Sequence, residues 1–198
     1  MLVGLYSAAT GLEAAERMHE VIAENLAHAS VPGYRATVVS HETFENAYLR
    51  QIEQPSPEGH GTHLAEYTTD HSNGPTSHTG RTLDVAFGGE GFFEVQGPSG
   101  PLYTRSGVFF LNDDGRLVNS EGMAVMGTGG PLVLPPNTST VDVQIAPDGT
   151  VSAGEITVGQ LNRVMFSDPR QLIRSGTTLF EAPAAVDAEP SDTLLIQG

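Results

Sequence analysis

The sequence predicts a mainly β protein, in which a compact antiparallel β domain of sandwich or barrel type follows one long N-terminal helix of coiled-coil character. Two observations carry this prediction. From Gly80 onward, short segments of alternating polarity are separated by Gly, Pro and Asp-Gly. Before them, the stretch from Leu5 to Tyr34 carries apolar residues at heptad spacing. Short strands separated by turns indicate an antiparallel arrangement and exclude a parallel βαβ sheet.

The N-terminal helix is predicted by a narrow apolar stripe, which His19 interrupts as the polar exception. Its members are Leu5, Ala8, Leu12, Ala15, Ile22, Leu26 and Ala29. We expect Asn25, Gly33 and Tyr34 to form the turn that ends the helix and redirects the chain. A single stripe needs a partner, because most helix stability in water comes from packing. We therefore predict a helix-pair or intersubunit seam, with an ordinary amphipathic helix on the β core as the alternative.

The middle of the chain predicts a connector. Residues Arg35–Gln51 fit either a strand followed by a helical turn or one irregular segment, and Ile52–Ser77 is rich in Pro, Gly, Thr, His and Glu, which predicts a loop. The predicted parts are then residues 1–34 as helix and turn, 35–78 as connector, 79–182 as β domain and 183–198 as a return segment.

Within the β domain, turn residues separate the predicted strands. The strands are Thr82–Phe87, Phe92–Gln96, Leu102–Arg105, Val108–Leu111, Arg116–Val118, Met123–Met126, a strand through Val143, and Ile156–Phe166 as the longest. Asp114-Gly115 and Asp148-Gly149 predict hairpin turns, because such turns favour residues that tolerate positive φ. One helical turn is predicted within Asp168–Arg174.

The composition excludes several classes of partner. The 198 residues include 24 acidic against 9 basic residues, all of them Arg, for a net charge of −15. Such a surface argues against binding to nucleic acid or to an anionic membrane, since both require concentrated positive charge. There is no cysteine, which excludes disulfides and zinc-thiolate sites. The sequence shows neither a membrane span nor a secretory signal peptide, and composition alone would predict a cytosolic protein.

No pattern of residues predicts chemistry. His60, His63, His71 and His78 are the only candidate metal cluster, and they lie in the predicted loop, which offers no rigid framework for ligands. The Gly88-Gly89-Glu90-Gly91 segment lies between two strands and opens no helix, so it predicts a turn and not a phosphate site. We predict no catalytic residue, no cofactor and no metal.

Two sets of motifs stand out. The first runs from Asn25 to Arg35 and is preceded by Ser7–Leu12; the second is an ordered series of blocks from Thr79 to Phe180. The residues that carry the second set are Gly80, Leu83, Asp84, Gly91, Phe92, Phe93, Tyr103, Arg105 and Gly107. Together the two sets resemble the bacterial flagellar axial proteins, the rod and hook family. His28 and Val31 depart from the residues common in the family. The pattern is most similar to the basal-body rod proteins, proximal or distal.

The resemblance implies a non-enzymatic structural subunit that assembles into a helical axial tube, transmits torque and surrounds the export channel. Its implied partners are copies of itself, other axial proteins and the flagellar export apparatus, without nucleic acid or membrane insertion. Its implied location is the basal body, reached without a cleaved signal. Family members continue into a C-terminal helix beyond the segment similar to Thr193–Gly198, so we expect a fragment whose N-terminal helix frays, self-associates or packs on the β domain. An extracellular β-domain binding module or hydrolase with a helical dimerisation segment remains the alternative.

Overall fold

The computed structural model describes residues 2–43, 62–136, 138 and 140–198, and its contacts divide the chain into two units. The helical unit comprises Met1–Ser30 and Arg35–His71, and the β unit comprises Val31–Tyr34 and Ser72–Gly198. The prediction of a mainly β protein with one N-terminal helix and antiparallel sheets is confirmed. Its sandwich or barrel character stays a prediction.

The helical unit consists of one helix against a pair of strands. Helix α1 spans Leu2–Ala27, and strands β1 (Thr37–Thr43) and β2 (Thr62–Thr69) pair antiparallel with a register shift between Ser40 and His41. The helix contacts both strands. No described helix combines the length and the apolar character needed to cross a bilayer.

The prediction of a loop from Ile52 to Ser77 is wrong at Thr62–Thr69, which forms strand β2. For Arg35–Gln51, strand β1 favours the alternative that begins with a strand over one irregular segment. The polar sequence THLAEYTT does not predict a strand. Strand formation depends more on the partners across the sheet than on the intrinsic preference of the residues themselves. Those partners are supplied by β1, where Val39 faces Tyr67 and Val38 faces Thr68. Residues 44–61, which include part of both predicted segments, lie outside the described residues.

The β unit is built from short strands. They are β3 (Val85–Phe87), β4 (Phe92–Gln96), β5 (Pro101–Thr104), β6 (Phe110–Leu111), β7 (Leu117–Val118), β8 (Met126–Gly127), β9 (Gly130–Pro131), β10 (Val143–Ile145), β11 (Thr150–Ala153), β12 (Ile156–Gln160), β13 (Arg163–Met165), β14 (Ile173–Arg174), β15 (Leu179–Glu181), β16 (Glu189–Pro190) and β17 (Leu195–Gln197). Two 3-10 turns, Thr140–Asp142 and Pro169–Gln171, complete it, and the second confirms the predicted helical turn.

The largest sheet has six antiparallel strands in the order β14-β15-β5-β4-β13-β16. A three-stranded sheet β10-β11-β12 and the pairs β17-β3, β6-β7 and β8-β9 accompany it. Side chains alternate along β4, so Phe92 and Phe93 enter different core clusters on the two faces of the sheet. Phe93 packs with Phe87 and Phe109, whereas Phe92 packs with Phe166 and Phe180.

Several predictions for single elements have an outcome. The strand Phe92–Gln96 and the turns at Asp114-Gly115 and Asp148-Gly149 are confirmed, with φ of 75° at Gly115 and 81° at Gly149. The predicted strand Ile156–Phe166 is wrong as one element, because it is divided between β12 and β13 in different sheets. Within residues 183–198, the predicted return segment, β16 pairs with β13 and β17 pairs with β3, and the course of this segment toward a further helix stays a prediction.

Candidate functional site: an assembly surface

The predicted apolar stripe of α1 is exposed along its whole length. Leu5, Leu12, Ile22 and Leu26 are 69%, 72%, 51% and 74% exposed. Ala8, Ala15 and Ala29 are exposed as well, as is His19. A contiguous run of exposed apolar side chains is typical of a surface that binds another macromolecule.

A different face of α1 holds the helix in its own unit. Ala14 and Val21, one heptad apart, are 6% and 8% exposed. At 3.6 residues per turn, they lie roughly 130° around the helix axis from the centre of the stripe. The amphipathic-helix alternative therefore assigned the wrong residues to the buried face, and sequence reasoning missed Ala14 and Val21. Their small or β-branched side chains at heptad spacing were the available signal.

The third face of α1 is acidic. Four exposed glutamates, Glu13, Glu16, Glu20 and Glu24, form what we call the acidic ridge. Arg17 lies beside it, 3.5 Å from a Glu13 carboxylate oxygen. A hydrogen bond with the Tyr67 side chain is the main cause that raises the pKa of the Arg17 guanidinium, and the contact with Glu13 raises it further. Arg17 thus links α1 to β2 and stays charged.

Asn25 joins the end of α1 to the beginning of β1. Its Nδ2 donates to the carbonyl oxygen of Thr37 over 2.8 Å, and its Oδ1 accepts from the Thr37 N–H over 2.9 Å. The side-chain amide therefore pairs with Thr37 as a neighbouring strand would. The sequence predicts Asn25 in the turn that ends the helix, whereas it lies in the last turn of α1 and its side chain hydrogen-bonds the first residue of β1.

Gly33 lies directly against the backbone of the β unit. Its φ is 77°, and a Cβ at this position would fall 2.3 Å from the Ser106 nitrogen and 2.4 Å from the Ser106 Cα. The neighbouring Tyr34 ring lies 5.1 Å from the Arg174 guanidinium, which also lies 5.4 Å from the ring of Phe180. The turn therefore has no room for a side chain at Gly33. The cation–π contacts of Arg174 with the Tyr34 and Phe180 rings hold the turn on the sheet.

Arg105 holds the Gly88–Gly91 turn. Its guanidinium donates to the carbonyl oxygens of Gly89 and Gly91 and lies 4.8 Å over the Phe87 ring. The planar fork of Arg suits two carbonyl acceptors together with a ring face. The motif residue Arg105 thus has a structural role, one that sequence reasoning did not predict.

Asp84 closes a second local network. The Thr79 hydroxyl donates to Asp84 Oδ2 over 2.8 Å, and the Arg81 guanidinium lies 3.4 Å from Oδ1. Gly80 between them has a φ of 73°. At Gly107, a Cβ would fall 1.8 Å from the Val85 carbonyl oxygen. Asp84, Gly80 and Gly107 therefore shape the entry into β3.

The remaining motif residues belong to the core. Leu83, Gly91, Phe92, Phe93 and Tyr103 are buried. Burial is the main cause that raises the pKa of the Tyr103 hydroxyl, and the negative charge of the Glu94 carboxylate raises it further. These positions fix the packing of the sheet.

The histidine cluster yields no ligand set in the described part of the chain. His60 lies outside it, and no group of three or more described His, Asp or Glu side chains could hold a metal ion. Sequence reasoning also missed Arg35, which is buried. Burial lowers the pKa of its guanidinium, and the negative charge of Asp70 acts in the opposite direction.

Comparisons with known proteins agree along the chain. A family model described as the D1 domain of the flagellar hook protein FlgE/F/G matches residues 86–153. The flagellar basal-body rod protein FlgG of Buchnera aphidicola subsp. Schizaphis graminum is 33% identical over 98% of this chain and 78% of that protein. FlgG of Bacillus subtilis is 30% identical over 91% of this chain and 73% of its own length. The rod protein FlgF of Caulobacter vibrioides is 30% identical over 90% of this chain and 73% of its own.

Proposed function

The chain belongs to the family of flagellar basal-body rod proteins, and from this premise we infer that it is a structural subunit of the rod in the flagellar basal body. The observation that supports a role in assembly is the exposed apolar stripe of α1, which is separate from the face that packs on β1 and β2. The comparisons do not support the alternative of an extracellular binding module.

The stripe would act as a seam of coiled-coil type between helices of neighbouring subunits. Three of the four residues at every second seam position, Ala8, Ala15 and Ala29, are small and allow close approach of another helix. Subunits that meet through unlike surfaces without closing a ring extend into a helical array. Repetition of this contact would build a tube that surrounds the export channel and transmits torque, with the β unit in an outer layer.

The partners in this proposal are copies of the chain and other axial proteins, delivered by the flagellar export apparatus. The motif residues of the β unit hold backbone turns and core aromatics, so we assign them to stiffness and not to catalysis. Stiffness is what torque transmission requires, and the subunit needs no enzymatic step.

The test is to replace the chromosomal copy in the source bacterium by the variant Leu12→Glu/Leu26→Glu. An unpaired carboxylate buried in the seam costs several kcal/mol, so we expect loss of assembled rods and of motility. Electron microscopy of isolated basal bodies and a swimming assay measure both. Ile156→Glu, at an exposed position of β12, is the matched control and should assemble normally.

Both variants should accumulate at the normal level and keep native circular dichroism, because all three positions are exposed. Normal rods and normal swimming of the Leu12→Glu/Leu26→Glu strain would refute the seam.

A further inference from the structure

Asn73 and Gly74 form the only Asn-Gly pair in the sequence, which contains seven asparagines. Both residues are exposed and lie near the beginning of the β unit, where residues 72–81 form neither helix nor strand. A Cβ at Gly74 would meet no atom within 4 Å. Because glycine has no Cβ, the Gly74 nitrogen can approach the side-chain amide of the preceding asparagine without steric obstruction. The pair therefore has the local freedom that closure of a ring between the two residues requires.

The amide oxygen of Asn73 is bound by the guanidinium that holds the Gly88–Gly91 turn. Arg105 Nη2 donates to Asn73 Oδ1 over 2.5 Å. The same guanidinium donates to the carbonyl oxygens of Gly89 and Gly91. A cation at the amide oxygen draws electron density from Cγ and stabilises negative charge that develops on that oxygen. The contact thus favours nucleophilic attack on Cγ and provides a partner for a carboxylate at this position.

Two other asparagines of the β unit are held differently. Asn112 Oδ1 and Asn119 Oδ1 each accept two backbone N–H groups within a tight turn, over 2.8 to 3.1 Å. The residues that follow them, Asp113 and Ser120, carry a Cβ. These turns fix the amide against rotation, so Asn112 and Asn119 serve as references within the same chain.

We propose that Asn73 deamidates spontaneously in the folded chain and that Arg105 binds the carboxylate which the reaction creates. The Gly74 nitrogen attacks Asn73 Cγ and gives up its proton through solvent to the leaving amide nitrogen, so the N–Cγ bond forms, the Cγ–Nδ2 bond breaks and ammonia departs. Water then opens the succinimide at either carbonyl, which yields aspartate or isoaspartate and releases one proton. The neutral contact with Arg105 becomes an ion pair that ties the beginning of the β unit to the Gly88–Gly91 turn.

The first test follows the modification in the intact 198-residue chain. Peptide mapping by mass spectrometry, with isoaspartate detected separately, measures the conversion of each asparagine at neutral and mildly alkaline pH. A synthetic peptide that copies residues 69–78 gives the rate without the fold. In the folded chain we expect Asn73 to convert within about tenfold of the peptide rate and at least about tenfold faster than Asn112 and Asn119. The rate should rise with pH, because the attacking nitrogen must lose its proton.

Gly74→Ala places a Cβ beside the attacking nitrogen and should slow the conversion at least about tenfold. The variant should fold normally, because the φ of Gly74 lies outside the left-handed region and the new Cβ has open space around it. Gly129→Ala, at an equally open glycine, should leave the rate unchanged. Conversion of Asn73 more than about tenfold slower than in the peptide, no faster than at Asn112 and Asn119, or unaffected by Gly74→Ala overturns the modification site.

Asn73→Asp tests the contact with Arg105 separately from the reaction. Titration followed by nuclear magnetic resonance should show the new carboxyl group with a pKa below the ordinary aspartate value, because the guanidinium favours the charged form. Thr76→Asp, at an exposed position of the same segment, is the matched control and should titrate at the ordinary value. Equal pKa values in the two variants would overturn the pairing of the modified residue with Arg105.

Discussion

At Gly33 a single missing side chain decides how the chain leaves the helix. The sequence alone predicts a turn there, because Pro32-Gly33 stops a helix. It does not predict the close approach to Ser106, since the two residues are distant in sequence and only the folded β unit brings them together. The same limit applies to Arg105, whose acceptors are backbone carbonyls that any residue type could supply.

We expect Gly33→Ala to destabilise the β unit by at least about 2 kcal/mol, because positive φ is unfavourable for Ala and the new Cβ would overlap the Ser106 backbone. Chemical denaturation followed by near-ultraviolet circular dichroism measures the loss. Gly129→Ala is the matched control, since no atom lies within 4 Å of a Cβ there, and its effect should stay within about 0.5 kcal/mol. Equal stability of the two variants would show that the backbone gives way at Gly33.

Among the elements, α1 and β1 are connected by one side-chain amide. Asn25→Ala removes both hydrogen bonds to Thr37 and leaves a partly buried N–H and C=O without their partner. The expected cost is about 1–3 kcal/mol, which corresponds to a roughly 5- to 150-fold faster amide exchange in β1. Glu24→Ala, at the exposed neighbouring position, should leave the exchange rates nearly unchanged. Unaltered exchange in Asn25→Ala would mean that β1 is held by β2 alone.

The elements also show which patterns are informative. Turns with Asp-Gly and the strand Phe92–Gln96 were predictable, because local residue preference and burial agree there. In the sequence, the division of Ile156–Phe166 shows only as a break in the two-residue alternation of a strand. Val158 packs against the core cluster that contains Phe93, and the buried residues Leu161 and Val164 follow at steps of three residues. Strand β2 gave no such signal, since its polar residues depend on β1.

For the whole molecule, charge sets the conditions under which copies associate. The net charge of −15 opposes contact between like chains at neutral pH, and the isoelectric point lies near 4.6. We expect light scattering to show little association at pH 7 and low salt, and increasing association as the pH falls toward the isoelectric point and the net negative charge decreases. Leu12→Gln/Leu26→Gln, which alters no charge, should reduce that increase.

The same measurement can contradict the role of charge. Association of equal extent at pH 7 and pH 5 would show that repulsion does not control it. An increase at low pH that is unchanged in Leu12→Gln/Leu26→Gln would assign it to surfaces outside the stripe.

The exposed stripe of α1 also has a thermal consequence. In the proposed seam, leucine and isoleucine side chains would leave water on assembly and release ordered solvent, and such burial carries a negative change in heat capacity. The proposed attraction between subunits would then weaken as the temperature falls, since the entropic gain fades on cooling. Organisms that swim in the cold would need larger or additional apolar contacts along this helix to keep an equally durable rod.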